Sequence, residues 1–466
     1  RSAQLYVQGR FLDYPLSAKN VLLNFPLSDA IASVITFAWA QLKAAAKYLF
    51  STDSTRVNFG DWATANFGNH LAKIFFRPYT EGFWKIPCEN LSPEIIPTST
   101  RLNFMKSLKM MFLRKVSGPA KSLTERELVL PLRYPKRGYG VIAENIADRV
   151  LNMGGIIRQN ARVVKVKLRD DGTYLVKVAQ DDNLIELHAD HVVSTIPIPN
   201  LVNMMSPEAP PIVSQSADKL GYLSLIVLYV VTTKNDILDT SYVYYLDRPY
   251  HRLAEMDKFC DSLFPDGENM LAVEFSCHRG DEIWNMHEQD LLELALPHLE
   301  HDNILLRNEV DKLFVVRAGH AYPIRYLDFR NNLDTFLGYV GEQHNLDVLG
   351  RTGEYMYIDS DQCMERALVL ADKIAEKARP KKEKAKLINK NLLKLARVKL
   401  NSIQSKEAME LKALNISVTE KDLLQIMTLL ALSWSQDGDL AKEDIHLFFD
   451  DQCNFLHEAE FLNQDG

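Results

Sequence analysis

The 466 residues lack most of the features that announce a function outright. No GxGxxG turn occurs anywhere, which excludes a self-contained pyrophosphate cradle of the usual dinucleotide-binding kind. The five cysteines (Cys88, Cys260, Cys277, Cys363 and Cys453) lie far apart, with no CxxC pair and no metal-ligand spacing. They read as scattered thiols of a reducing compartment, and no metal site is expected. No long apolar run follows Arg1, so a secretory leader is not evident, and a cytoplasmic setting is expected. The apolar runs Ala30–Ala40 and Leu220–Val231 both fall short of the ~20 residues a spanning helix requires. The first reads as a buried helix and the second as a core strand. A net charge of -7 speaks against a general nucleic-acid binder. The histidines are dispersed, and no Ser–His–Asp set or metal cluster supports a hydrolytic reading. Without an initiator methionine, Arg1 is expected to be an internal position of a longer product.

What is present is an ordinary globular composition, 47% hydrophobic and 25% charged, long enough for two to four domains. YVQGRFLDYPL predicts strand, turn at Gly9, strand. From about Ser28 to Leu130 the apolar spacing is helical, with Ile31, Val34, Ile35, Ala38 and Leu42 as its clearest instance. From Tyr134 to Pro197 the pattern turns to α/β, with a helix over Val141–Leu151 stopped by Gly154-Gly155. The strand-like runs ARVVKVKL, YLVKVAQ and HADHVVSTIP follow, the first two joined by the hairpin turn Asp170-Asp171-Gly172. Several strands and a helix near Asp290–His298 fill 220–345. Past Pro380 a basic amphipathic run, read as a solvated face, leads into an acidic helical stretch over Glu420–Phe461.

One stretch carries a site: GRTGEYMYIDSDQCMERAL, Gly350 to Leu368. Gly350 and Gly353 let the backbone approach a ligand, and Arg351 adds planar cationic donors. Asp359 can accept from hydroxyls, and the helix beginning near Ser360 and Asp361 presents free N–H groups and a positive dipole end. An anion, or a group that becomes anionic on reduction, suits that place.

The stretch resembles the C-terminal flavin-binding segment of the amine oxidase, protoporphyrinogen oxidase and UDP-galactopyranose mutase superfamily, G-R-x-G-x-x-x-Y-x-[DN]-x-D and then a helix. Other segments match in order over residues 1–378: FFRPYTEGFWKIPCENLSPEI, YPKRGYGVIAENIADRVLNMGGIIRQNARVVKV, HADHVVSTIPIPNL, AVEFSCHRGDEIW and AYPIRY. The resemblance implies an α/β fold with an N-terminally incomplete, Rossmann-like FAD/NAD(P)-binding domain, an inserted helical region and a mixed-sheet substrate domain, followed by a helical tail. It divides the chain into 1–27 (FAD-domain remnant), 28–130 (helical cap), 131–197 (FAD-binding segment), 198–345 (β-sheet substrate domain), 346–379 (C-terminal FAD-binding segment) and 380–466 (tail). It implies FAD as cofactor, with Arg351, Gly353, Tyr357 and Asp359, beside Gly350, along the isoalloxazine and ribityl part and Val163 near the adenine. Tyr79, Trp84 and Tyr322 would line the substrate side.

The implied activity is hydride transfer from a small organic substrate to flavin. The alternatives are a mutase-like isomerisation of a sugar nucleotide on reduced flavin and a degenerate flavoprotein scaffold acting as an interaction protein. The sequence departs from the family at the missing GxGxxG unit, so this chain by itself is expected to bind FAD poorly. It departs again in the aromatic segment, where Gly82 and Lys85 stand around Trp84 in place of Lys then Gly. In the tail, Asp437-Gly438-Asp439 lacks the first carboxylates of a calcium loop and reads as a helical hairpin for packing, self-association or a protein partner. The sequon Asn415-Ile416-Ser417 is discounted.

Overall fold

The computed structural model describes residues 3–7, 9–14, 26–50, 57–95, 134–181, 183–260, 263–264 and 267–378. The basic run, the acidic turn and the sequon of the tail lie outside these residues, as does the helical pattern over 96–130. The chain divides into two compact units, Arg1–Met364 and Glu365–Gly466, and the account below concerns the first.

The chain opens with the hairpin β1 (Ala3–Val7) and β2 (Arg10–Tyr14), closed by Gly9 at φ 79°. Helices α1 (Leu27–Phe50) and α2 (Phe59–Phe67) follow. A third helical stretch, α3, runs through Asn69–Leu71, a π-helical turn Ala72–Phe76 and Arg77–Trp84. The α/β region contains α4 (Gly140–Asn152), β3 (Ala161–Leu168), β4 (Tyr174–Gln180), β5 (Asn183–Ala189) and β6 (Val192–Ser194). Then come α5 (Ile198–Met204), β7 (Met205–Ser206) and α6 (Pro211–Asp218). The large sheet adds β8 (Tyr222–Thr232), β9 (Tyr242–Tyr245), β10 (Arg252–Glu255), β11 (Asn269–Cys277) and, after α7 (Glu288–His301), β12 (Lys312–Pro323). The elements α8 (Phe329–Glu342), β13 (Leu346–Val348), the single turn α9 (Gly350–Gly353) and α10 (Ser360–Ala378) complete it.

The seven-stranded sheet has the order β12-β8-β11-β10-β9-β1-β2. Strand β8, YLSLIVLYVVT, lies between β12 and β11 and is apolar almost throughout; Ile226, Leu228 and Val230 are buried on one face, while Leu225, Val227 and Tyr229 on the other are half-buried. One face of the sheet packs on α7, whose Leu291, Leu292, Ala295, Leu296 and Leu299 meet Leu228, Val230, Val273 and Phe275. The other face, at its β1–β2 end, is covered by the aromatic helices: Leu5, Val7 and Leu12 pack with Phe59, Phe67, Phe75 and Trp84. A third core joins the sheet β5-β4-β3-β7 to the helices, through Tyr174, Ile198, Leu201, Phe336 and Tyr355. Strands β6 and β13 form a separate parallel pair.

Two expectations change. The run HADHVVSTIP holds the end of one strand, β5, and the whole of the next, β6, and NLIELHA, which received no assignment from the sequence, is β5, because it pairs along its whole length with β4. The apolar run of α1 is not a buried helix. Its small residues Ala30, Ser33 and Ala40 face inward, while Ile31, Val34, Ile35, Trp39 and Leu42 are each more than half exposed. The close approach explains the choice: a Cβ on Gly68, which sits at φ 83°, would stand 2.5 Å from the Thr36 carbonyl carbon. Among the described residues no helix is long and apolar enough to cross a membrane.

Candidate functional site: an aromatic cleft around Arg351

Ligands of open α/β sheets lie outside the carboxyl ends of parallel strands. Here β6 and β13 end side by side at Ser194 and Val348, and the site stretch begins two residues later. The chain leaves β13 through Leu349, whose N–H donates to the Ser194 carbonyl (2.9 Å), and turns at Gly350. Gly350 has φ 82° and open space where a Cβ would point. That backbone is the one L side chains avoid, which accounts for the glycine. Gly353 is bare for a further reason: its Cβ would stand 2.7 Å from the Ser194 carbonyl oxygen, so the glycine lets α9 lie on β6. Two phenols pin the turn to the large sheet. Tyr222 donates to the Thr352 carbonyl (2.7 Å) and accepts from the Ile198 N–H (3.2 Å), while the Tyr355 hydroxyl reaches the Gly221 and Ile324 carbonyls.

So anchored, Arg351 extends into a cluster of rings. Its Nε donates to the Ile358 carbonyl (2.8 Å) and its Nη2 to Asp359 Oδ1 (3.2 Å). Its guanidinium carbon stands 4.8 Å from the centroid of Tyr322 and 5.5 Å from that of Tyr357, within cation–π reach of both. Tyr322 and Tyr357 stack at 5.1 Å, and Trp84 lies edgewise to Tyr322 at 6.2 Å and tilted to Tyr357 at 6.3 Å. Tyr79 belongs to the same core but points to Tyr244 (6.3 Å), one layer away from Arg351. Burial raises the Tyr322 and Tyr357 phenols, so both remain protonated donors in the ordinary pH range. Asp359 is therefore a partner of Arg351 and not solely a ligand acceptor; its carboxylate remains exposed. The α10 N-terminus is capped from within, the Asp359 N–H donating to Gln362 Oε1 (3.0 Å), and Ser360 meets the Tyr139 hydroxyl at 2.5 Å. Val163 stands apart from all of these. It pairs with Val178 in β3 beside a bulge and packs against the third core. Lys85 ends α3 in the left-handed conformation (φ 56°).

Reasoning from sequence missed the polar half of the cleft. Strand pairing sets Tyr244, Arg252 and Glu274 in one cross-strand row on the sheet face toward the aromatic cluster. Arg252 Nη2 donates to Glu274 Oε1 (2.7 Å), and its guanidinium stands 5.7 Å from the rings of Tyr242 and Tyr244. His251 Nε2 lies 3.4 Å from Glu274 Oε2, at the outer limit of a hydrogen bond. Burial works to raise the Glu274 carboxyl, but the His251 contact and the Arg252 charge overcome it and hold the group down at about 2. Burial lowers His251 below the ordinary imidazole value, against the opposing pull of Glu274. The legible signal was one charged residue in the apolar strand NMLAVEFSC, since an unpaired carboxylate is not tolerated inside a sheet.

The chemistry of these residues is compatible with a flavin ring. Ser194 Oγ is buried without a partner at the carboxyl end of β6, Gly350 leaves space, and Arg351 supplies charge that a reduced ring attracts. Residues 5–330 match the sequence profile of the family described as flavin containing amine oxidoreductase. No curated protein sequence matches the chain. Among solved structures, a reduced UDP-galactopyranose mutase is similar at 19% identity and TM-score 0.60, over 77% of this chain and 72% of that one. A putative protoporphyrinogen oxidase from Exiguobacterium sp. 255-15 is similar at 15% identity and TM-score 0.56, over 80% of each chain. A variant of putrescine oxidase follows at 12% identity and TM-score 0.52, over 80% of this chain and 81% of that one. At such identities the likeness is one of fold, an α/β architecture of the FAD/NAD(P)-binding kind. The profile match, spanning well over half of the 466 residues, goes further: the chain belongs to the flavin containing amine oxidoreductase family.

Proposed function

We propose that the protein is an FAD-dependent oxidoreductase taking hydride from a small organic substrate. The observation that carries the reading is the placement of Arg351, held at Nε by the Ile358 carbonyl and stacked over Tyr322 and Tyr357 at the mouth of the parallel pair β6–β13. Bound FAD would supply the electron-accepting chemistry. Arg351 favours negative charge beside it, as a preoriented donor does in a site with little water. The buried Ser194 hydroxyl offers a hydrogen bond at the end of β6. Tyr322, Tyr357 and Trp84 exclude water and orient an apolar substrate against the ring.

The test is the visible spectrum of the full-length product before and after FAD is added. A yellow protein supports the reading, and Arg351→Ala is then expected to bind FAD about 10- to 100-fold more weakly, the worth of one charged hydrogen bond. A protein that stays colourless supports the interaction scaffold instead. A second reading, isomerisation of a sugar nucleotide on reduced flavin, is favoured by the further guanidinium of Arg252 on the substrate face. In that case turnover requires the reduced protein and consumes no electrons.

A further inference from the structure

We propose that the sheet face beside Arg351 carries a subsite for the oxyanion of an apolar substrate, with Arg252 as the residue that receives it. The proposal takes from the preceding reading only that this face admits the substrate. Register places Tyr244, Arg252, Glu274, Val227 and Val316 in one row across β9, β10, β11, β8 and β12. Strands stand about 4.8 Å apart, so the row runs roughly 14 Å from the Arg252 backbone to that of Val316. Its far end is an apolar floor open to solvent: Val316 is 51% exposed, and Phe314, stacked on Tyr229 at 4.8 Å, is 42% exposed.

The near end holds charge in a particular arrangement. Glu274 lies beneath the surface, whereas the Arg252 side chain retains 30% of its exposure and so presents the cleft with a cation. Only Nη2 has a strong partner. Nη1 meets the Tyr244 hydroxyl at 3.4 Å, and Nε is buried without a partner. Arg351 adds a second guanidinium, 4.8 Å from the Tyr322 ring centroid, and the charges of both arginines lower that phenol against the effect of burial. A planar guanidinium with donors to spare, flanked by rings and facing an apolar floor, suits a carboxylate or phosphate joined to a hydrocarbon body. If Arg252 merely riveted β10 to β11, it would not distinguish charged from neutral ligands.

Calorimetric titration with octanoate, octyl phosphate and octanamide makes that distinction, with or without flavin. The intact protein is expected to bind one of the two anions at least tenfold more tightly than the neutral amide, and the tighter anion names the oxyanion. In Arg252→Gln the preference disappears while octanamide affinity stays, and Arg252→Lys, which keeps a cation beside Glu274, falls between. Equal binding of anion and amide by the intact protein overturns the proposal even if the Gln variant fails to fold. So does a preference that survives in Arg252→Gln. A colourless protein that keeps the preference supports the subsite and removes the flavin reading; a yellow protein without it overturns the subsite alone.

Discussion

Glu274 illustrates how a single side chain can be both liability and device. A carboxylate in the middle of an apolar strand costs several kcal/mol unless paired, and breaking a buried pair costs about 3–5 kcal/mol. Glu274→Ala is therefore expected to lower stability in urea, by at most that amount, because the Arg252 guanidinium, 30% exposed, then loses its counter-charge. The pH dependence has a definite sign. Its folded value, about 2, lies below the ordinary 4.5, so its contribution is complete above pH 4.5 and is lost as pH falls toward 2. Melting temperatures followed down through that window should drop more steeply in the parent than in Glu274→Gln. The strand's apolar spelling sets Glu274 apart, but its partner Arg252 comes from β10, 22 residues away, and no local pattern names it.

Among elements, the turn α9 depends most on a neighbour. Adding a methyl at Gly353 forces it off the β6 backbone, and overpacking of this kind costs typically 1–3 kcal/mol. Gly353→Ala should lower the melting temperature and loosen FAD together, since Arg351 rides on the same turn; an unchanged melting temperature would mean that the two elements do not touch. Gly350 and Gly353 look alike in the sequence. Their different tasks, a left-handed backbone and a close approach, became separable only when β6 was placed beside them. The start of α10 at Ser360 was legible because a turn, an acidic residue and apolar helical spacing agree there. The exposure of α1 was not, because its apolar residues and its small ones share one helix, and only the Gly68 crossing decides which side faces inward.

At the scale of the molecule, the order of elements and the α/β alternation over 134–197 followed from periodicity, since each rests on contacts close in sequence. The seven-stranded order did not, because β1 pairs with β9 across more than two hundred residues. Burial on this scale also sets thiol chemistry. It raises Cys88 to about 12 and Cys277 to about 11, and both side chains are almost wholly enclosed. Iodoacetamide at pH 8 is expected to leave both unmodified in the native protein and to label both in urea, read by peptide mass; native labelling of Cys277 would mean that the sheet opens locally. The charged row across that sheet has a last consequence, for assembly. Antiparallel strands that slip by one residue turn every side chain over. A slip of β10 would bring Leu253 opposite Glu274 and send Arg252 to the α7 side, stranding both charges in apolar surroundings. The ion pair thus acts as a lock on strand alignment, penalising misfolded forms that apolar packing alone would tolerate.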